Sequence, residues 1–256
     1  MKSFRVIVDG PRHPLLNMAL DIVLMDRASR GEAVLRIYQW MPPAVSIGRR
    51  QELENTVNTG KAREKGYIPV RRPTGGAALV HDGLNEVTYS IVIPSGSYLY
   101  ELGVDESSTL IATAVANALN SLGVPVNVGG FKGLESEENF CFLRSGFADL
   151  VLNGRKISGS AQYRDSRGLL QHGSILLHYN PSLWSSLIKH KASYEQVENL
   201  VTGLLDEGYK LNLDSIMESL IAGFSELVGM SPEYSYYSVA EISKAVELVE
   251  RGHNIP

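Results

Sequence analysis

The chain has 256 residues, 24 of them basic and 28 acidic, for a formal net charge of −4, and is 44% hydrophobic. That is an ordinary globular balance, long enough for one sizeable core. It gives no support to nucleic-acid binding, which needs a clustered basic surface, nor to a membrane protein, since no run approaches the roughly 18 apolar residues that cross a bilayer.

Phe4 to Asp9 alternates and predicts a strand. Leu15 to Ala28 predicts a helix, with Leu15, Met18, Ile22 and Met25 at helical spacing. Ala33 to Gln39 and Ala44 to Gly48 read as strands parted by Met41-Pro42-Pro43, and Glu54 to Lys65 as a polar helix closed by Gly66. Ile68 to Arg71, Ala77 to Val80 and Val87 to Ile93 are strands around a glycine-rich loop. Ser107 to Leu122 reads as a helix with Ser107 as its cap and Gly123 past its end. Phe147 to Leu152, Lys156 to Tyr163 and Leu169 to Leu177 are three consecutive strands, the first two joined by Asn153-Gly154, a type I′ hairpin signal. Asp214 to Val228 and Val239 to Glu250 close the chain as helices. The order predicts an α+β fold: a mixed, mostly antiparallel sheet with helices packed on it, not the strict alternation of a doubly wound fold. No boundary divides the chain, so residues 1–256 are read as a single domain with a helical C-terminal segment over about 212–256.

Cys141 is the lone cysteine. It excludes an intramolecular disulfide and fits a reducing compartment. The N-terminal Met1-Lys2-Ser3-Phe4-Arg5 has no apolar signal core, and a cytoplasmic setting is expected. Two segments hold residues capable of chemistry. In Arg71-Arg72-Pro73-Thr74-Gly75-Gly76 the glycines let backbone approach a ligand and offer N–H groups to an oxygen, beside two cations. Taken alone, the same residues also make a tight turn with solvated arginines. The second segment, Cys141 to Leu177, holds the thiol, Lys156, the small run Ser158-Gly159-Ser160-Ala161, and Gln171-His172-Gly173. A thiol is nucleophilic as its thiolate, and a nearby ammonium favours that form. Position alone reads equally as a structural thiol, a solvated lysine and a core histidine. No spacing of the usual form suggests a metal site.

Together these segments resemble the lipoate-protein ligase A and octanoyltransferase superfamily. The resemblance rests on Arg71 to Gly76, Ala78-Leu79-Val80-His81-Asp82, Val87-Thr88-Tyr89-Ser90, Gly154 to Gln162, and the opening motifs Asn17 to Asp21, Leu35 to Trp40, Ser46-Ile47-Gly48 and Gln51. It spans about residues 4 to 230. Cys141-Phe142 ahead of the lysine strand and Gln171 to Leu177 match the octanoyltransferase branch with an internal cysteine, while Ala148-Asp149 stands where ligases usually have Asn-Asp. The resemblance implies a biotin/lipoate protein ligase-like catalytic domain. It also implies transfer of an octanoyl group from acyl carrier protein, through a Cys141 thioester, to the lysine of a lipoyl domain or glycine-cleavage H-protein, without a cofactor. Cys141 and Lys156 would be catalytic. Arg71, Arg72, Thr74, Gly75, Gly76, Ala77, Ala78, His81, Ser158, Gly159, Ser160, Ala161, His172 and Gly173 would bind substrate. Ala77, Ala78, Leu79, Gly159 and Ala161 would line the acyl slot, and His81 and His172 are open between substrate contact and structural support. The alternatives are a lipoate-protein ligase, bipartite or not, using ATP and Mg to form an adenylate, and a non-catalytic relative that binds lipoyl domains.

Overall fold

The computed structural model describes residues 1–134 and 139–253; residues 254–256, the end of the expected C-terminal segment, lie outside these. The chain opens with β1 (Ser3–Arg12), α1 (Pro14–Ala28), β2 (Glu32–Trp40) and β3 (Ala44–Ile47). Two short helices follow, α2 (Leu53–Thr56) and α3 (Thr59–Glu64), then β4 (Ile68–Arg71), β5 (Leu79–His81) and β6 (Glu86–Pro94). Next come α4 (Tyr98–Glu101), α5 (Val104–Ser121), β7 (Asn127–Val128) and a 3₁₀ turn over Cys141–Leu143. The strands β8 (Leu150–Leu152), β9 (Arg155–Asp165) and β10 (Gly168–Leu176) lead to α6 (Pro181–Leu187) and α7 (Tyr194–Leu200). The chain closes with α8 (Leu213–Val228), β11 (Glu233–Tyr234) and α9 (Val239–Glu250).

Among the described residues eight strands form one sheet in the order β11-β1-β2-β6-β10-β9-β8-β7, and β4-β3-β5 form a second. In the large sheet only the pairings of β1, with β11 and with β2, are parallel. The α+β expectation therefore holds, with one sheet more than the sequence suggested.

The two faces of the large sheet follow from the two-residue period of a strand. One face carries Leu35 and Ile37 of β2, Val87, Tyr89 and Ile91 of β6, and Leu169 and Ile175 of β10. It packs against Ile111, Val115 and Leu119 of α5 and Ile216, Leu220 and Phe224 of α8. The alternate positions form a different surface: Arg36 pairs with Ser90, Tyr38 with Thr88, and His172 and Ser174 of β10 stand beside Ser90 and Thr88. All six are buried. A polar row enclosed at the middle of a sheet is costly unless each group finds a partner.

Several local expectations are corrected. Glu54 to Lys65 is not one helix: Val57 is extended and fully buried, bridging Ile188, and Asn58 restarts the helix by accepting from the Lys61 amide at 3.3 Å. Ser107 is not a cap, because its helix begins at Val104 and its hydroxyl donates back to the Gly103 carbonyl at 2.8 Å. Phe147 is 72% exposed and outside any strand. A turn delays β8 to Leu150, with the Gly146 amide donating to the Asp149 carboxylate at 2.6 Å. The Asn153-Gly154 hairpin holds, with φ of 51° and 79°.

The C-terminal elements are tied to the first ones by charge. Glu241 of α9 accepts from Arg5 of β1 and from Arg27 of α1, both at 2.7 Å, and all three are largely buried. Burial alone would raise the Glu241 carboxyl, but hydrogen bonds from Arg5, Arg27 and the Ser238 amide outweigh it and bring it down to about 2 from an ordinary 4.5. Because the folded value is depressed, this clamp stabilises fully above pH 4.5 and is lost as pH falls towards 2. Glu241→Gln should therefore be less stable than the wild type at pH 7. Urea unfolding at stepped pH should show that gap closing between pH 4.5 and pH 2; a gap independent of pH would contradict the clamp.

Candidate active site

A described cavity that gathers eight of the sixteen expected catalytic and binding residues lies between the polar face of the large sheet and the small sheet. It is lined by Arg72, His81, Cys141, Gly159, Ser160, Ala161, His172 and Gly173. Met18, Tyr38, Trp40, Ser46, Leu79, Thr88 and Ser174 complete the wall. Most of these lie in motifs quoted above, but their inward direction shows only once the strands are paired.

Cys141 begins a 3₁₀ turn stitched to the glycine-rich loop. Its amide donates to the Ala78 carbonyl at 2.8 Å, the Ala78 amide donates to the Asn139 carbonyl at 2.7 Å, and Ala78 bridges Phe140 in parallel. Ala77 and Ala78 thus act through their backbone and do not line the cavity, a correction to the expected acyl wall. The same duties begin β5 only at Leu79. The sulfur lies over Gly159: a Cβ built there would stand 3.4 Å from Sγ and 3.7 Å from Cε of Lys156. Those are ordinary van der Waals distances, so the glycine leaves room at the thiol without being forced by a close approach.

Lys156 reaches this spot through a register shift. Val151 pairs with Lys156 but Leu150 pairs with Ser158, so the extra residue turns Lys156 to the face that carries Gly159 and Ala161. Ser158 stays buried in the ladder and does not line the cavity. All three ammonium protons of Lys156 have acceptors: the carbonyls of Cys141 at 3.1 Å and Arg144 at 2.9 Å, and the Asp149 carboxylate at 2.7 Å. Burial raises the Asp149 carboxyl, partly offset by the lysine. Lys156 therefore holds the cysteine turn in place, and its charge is balanced by a carboxylate that sequence reasoning had noted only as half of a ligase feature.

Arg72 is different. It is 5% exposed, yet its donors go to neutral oxygens: the carbonyls of Ser46, Gly75 and Ala77 and the hydroxyls of Ser46 and Thr74. Among the described residues no carboxylate forms an ion pair with it. Burial pushes its guanidinium down to about 10, opposed by the charge of Cys141. It remains a cation at neutral pH, and Cys141 is the ionisable group whose charge it feels. Arg71 turns the other way, donating to the carbonyls of Gly48, Arg49 and Gln51, and does not line this cavity.

Two parallel chains of side chains end on Arg72. In one, Asp21 faces His172 Nδ1 at 3.1 Å and His172 Nε2 faces the Thr74 hydroxyl at 2.7 Å. In the other, Glu86 faces His81 Nδ1 at 2.7 Å and His81 Nε2 faces the Ser46 hydroxyl at 2.9 Å. Because Arg72 donates to both hydroxyls, each can give its own proton to the facing Nε2, and with burial this assigns His172 as the neutral Nδ1–H tautomer. Burial lowers the His172 pKa despite Asp21, consistent with that assignment. Asp21 stays charged: burial would raise it, but His172, Arg36 and Ser90 draw it down. The histidines thus line the cavity and also support the loop. Gly75 and Gly76 cross above; their amides have no acceptor among the described residues, and a Cβ on Gly48 would lie 2.0 Å from the Gly76 carbonyl oxygen.

Residues 13–225 match the family described as the lipoyl protein ligase A/B catalytic domain. Octanoyltransferase LipM of Kyrpidia tusciae is 32% identical over 269 aligned positions, covering 98% of this chain and 96% of that protein. Octanoyltransferase LipM of Moorella thermoacetica is 39% identical over 184 positions, covering 70% and 67%. Two solved structures share the fold: a lipoate-protein ligase A bound with ATP, with a TM-score of 0.82, 24% identity and coverage of 97% and 95%, and a bipartite lipoate protein ligase of Thermoplasma acidophilum, with 0.82, 21%, and coverage of 98% and 93%.

If Arg72 supplies the charge that favours the thiolate, Arg72→Gln should slow alkylation of Cys141 by iodoacetamide at pH 7 by on the order of tenfold, equivalent to about 1.4 kcal/mol. An unchanged rate in a variant with wild-type circular dichroism would leave Arg72 as a purely structural cation.

Proposed function

The chain belongs to the lipoyl protein ligase A/B catalytic-domain family, and from that premise we propose that it is an octanoyltransferase of protein lipoylation working through a Cys141 thioester. The observation that carries this reading is the Cys141 sulfur poised over Gly159, in the wall of a cavity that also holds the uncompensated Arg72 cation. The names of relatives alignable over nearly the full length support the same activity.

In the proposed reaction the donor is octanoyl-acyl carrier protein. The Cys141 thiolate attacks the acyl carbonyl, a new C–S bond forms, and the carrier's C–S bond breaks, its thiolate taking a proton. The lysine amine of a lipoyl domain or glycine-cleavage H-protein then attacks the enzyme thioester. A C–N bond forms, the amine gives up a proton, and the Cys141 thiolate departs. A thioester becomes an amide, so no ATP is needed. Arg72 favours both thiolate states. The Gly75 and Gly76 amides, which have no acceptor among the described residues, are the candidate oxyanion donors. Lys156 would positions the cysteine turn and, by releasing one carbonyl, can turn a proton to the acyl oxygen.

The reading treats residues 1–256 as one catalytic domain, because α8 packs on α5, β11 extends the large sheet, and α9 packs on α1. It sets the reaction in the cytoplasm. No helix among the described residues is long and apolar enough to cross a membrane.

The test supplies an apo lipoyl domain with either octanoyl-acyl carrier protein alone or free lipoate, ATP and Mg. The proposal expects modification from the carrier thioester without ATP, and its loss in Cys141→Ala by at least a thousandfold. Modification only with free lipoate and ATP, undiminished in Cys141→Ala, would make the protein a ligase. Binding of the domain without modification in either mixture would make it a non-catalytic relative.

A further inference from the structure

Side chains alternate along a strand, so Gly159, Ala161 and Tyr163 of β9 share one face. Across the ladder Ala161 pairs with His172 and Tyr163 with Leu170. Gly159, Ala161 and His172 line the cavity beside Cys141. Tyr163 and Leu170, the next pair on that face, line a second cavity, and Arg72 borders both. The two cavities therefore follow one another along β9 and share a wall. Four residues of strand span about 13 Å, which is roughly how far Tyr163 lies from the glycine under the Cys141 sulfur.

The second cavity is rich in positive charge. Arg49, Arg71 and Arg167 stand in its wall. Arg167 is already paired, with Asp26 at 2.8 Å and Asp165 at 2.5 Å. The other two have charge to spare. The Arg49 guanidinium is exposed and sits over the Tyr163 ring, 5.6 Å from its centroid, with no carboxylate paired to it among the described residues. Arg71 donates from Nη1 to three carbonyls, and its Nη2 and Nε have no acceptor among the described residues. Their segment is fixed, because the Arg49 amide also donates to the Thr74 carbonyl at 2.9 Å. Two guanidiniums with free donors on a fixed segment suit a phosphate, whose oxygens accept several N–H groups at once. Beside them Ile22 and Met25 of α1 and Leu170 of β10 supply apolar wall.

We propose that this second cavity holds the phosphate end of the donor's pantetheine arm, with Arg49 and Arg71 as its ligands, an inference that rests on the thioester reading of the neighbouring cavity. About 13 bonds separate the thioester sulfur of such an arm from its phosphorus, and at about 1.25 Å of advance per bond the extended arm spans about 16 Å. That covers the roughly 13 Å of β9 between Gly159 and Tyr163 and brings the phosphate to Arg49. The carbon bearing two methyl groups, next to the phosphate end of the arm, meets Ile22, Met25 and Leu170. The acyl carbonyl stays at Cys141, and the arm leaves over Ala161 towards the exposed Arg49.

The experiment uses octanoyl-pantetheine and octanoyl-phosphopantetheine, donors that differ only by the phosphate, and reads the rate of Cys141 acylation by intact mass. It compares wild type, Arg49→Gln, Arg49→Glu and Arg30→Gln, the last removing an exposed arginine outside both cavities. Calorimetry on the Cys141→Ser forms compares phosphopantetheine with pantetheine. The wild type should favour the phosphorylated compound by on the order of tenfold, in rate and in binding alike. That preference should fall towards one in Arg49→Gln, invert in Arg49→Glu and persist in Arg30→Gln. Equal behaviour of the two compounds in the wild type, or a preference that Arg49→Gln and Arg30→Gln lower equally, would overturn the proposal. Absence of acylation from either donor would sink the thioester reading instead, while the affinities would still decide whether the phosphate site exists.

Discussion

Arg72 carries a positive charge into the protein and meets only neutral oxygens there. Such a charge is tolerable because every donor is satisfied, and satisfying them shapes its surroundings. The carbonyls of Gly75 and Ala77 curl around the guanidinium, which fixes the glycine-rich loop. That loop leads directly into Ala78, whose carbonyl receives the Cys141 amide. The two hydroxyls that Arg72 touches are each backed by a histidine and a buried carboxylate. The carboxylates of Asp21 and Glu86 are thus set two side chains away from the cation, leaving its field directed at the cavity. Asp21 is in turn neutralised by Arg36, which it meets at 2.9 Å.

The division of labour between the two cations follows from their partners. Lys156 has a carboxylate and two carbonyls and is best suited to holding a turn. Arg72 has a surplus of charge and no mobility, which suits it to stabilising an anion that comes and goes without reorganising.

Much of this was legible in the sequence. The α+β class, the long helices and most strands of the large sheet follow from apolar period and turn chemistry, and the motifs around Arg72, Cys141 and Lys156 marked the site. What was hidden depended on contacts far apart in the chain. Glu54 to Lys65 has helical composition, but Val57 is drawn into an extended bridge by Ile188. Lys156 and Gly159 are three residues apart, which an unbroken strand would put on opposite faces; the register shift beside Leu150 brings them together. Ala77 and Ala78 looked like acyl-wall residues because they are small, whereas their carbonyls bind Arg72 and the cysteine turn. Thr88, Ser174 and Trp40 lie in motifs that the sequence marked, but only strand pairing reveals that they face a cavity.

The central claim is that Cys141 carries the acyl group. Intact-mass spectrometry of the protein after incubation with octanoyl-acyl carrier protein, in the absence of ATP, tests it most directly. The account predicts a single octanoyl adduct that hydroxylamine removes and that Cys141→Ser does not form. A wild-type protein that stays unmodified while transferring octanoyl to a lipoyl domain would contradict it, because transfer would then proceed without the thioester.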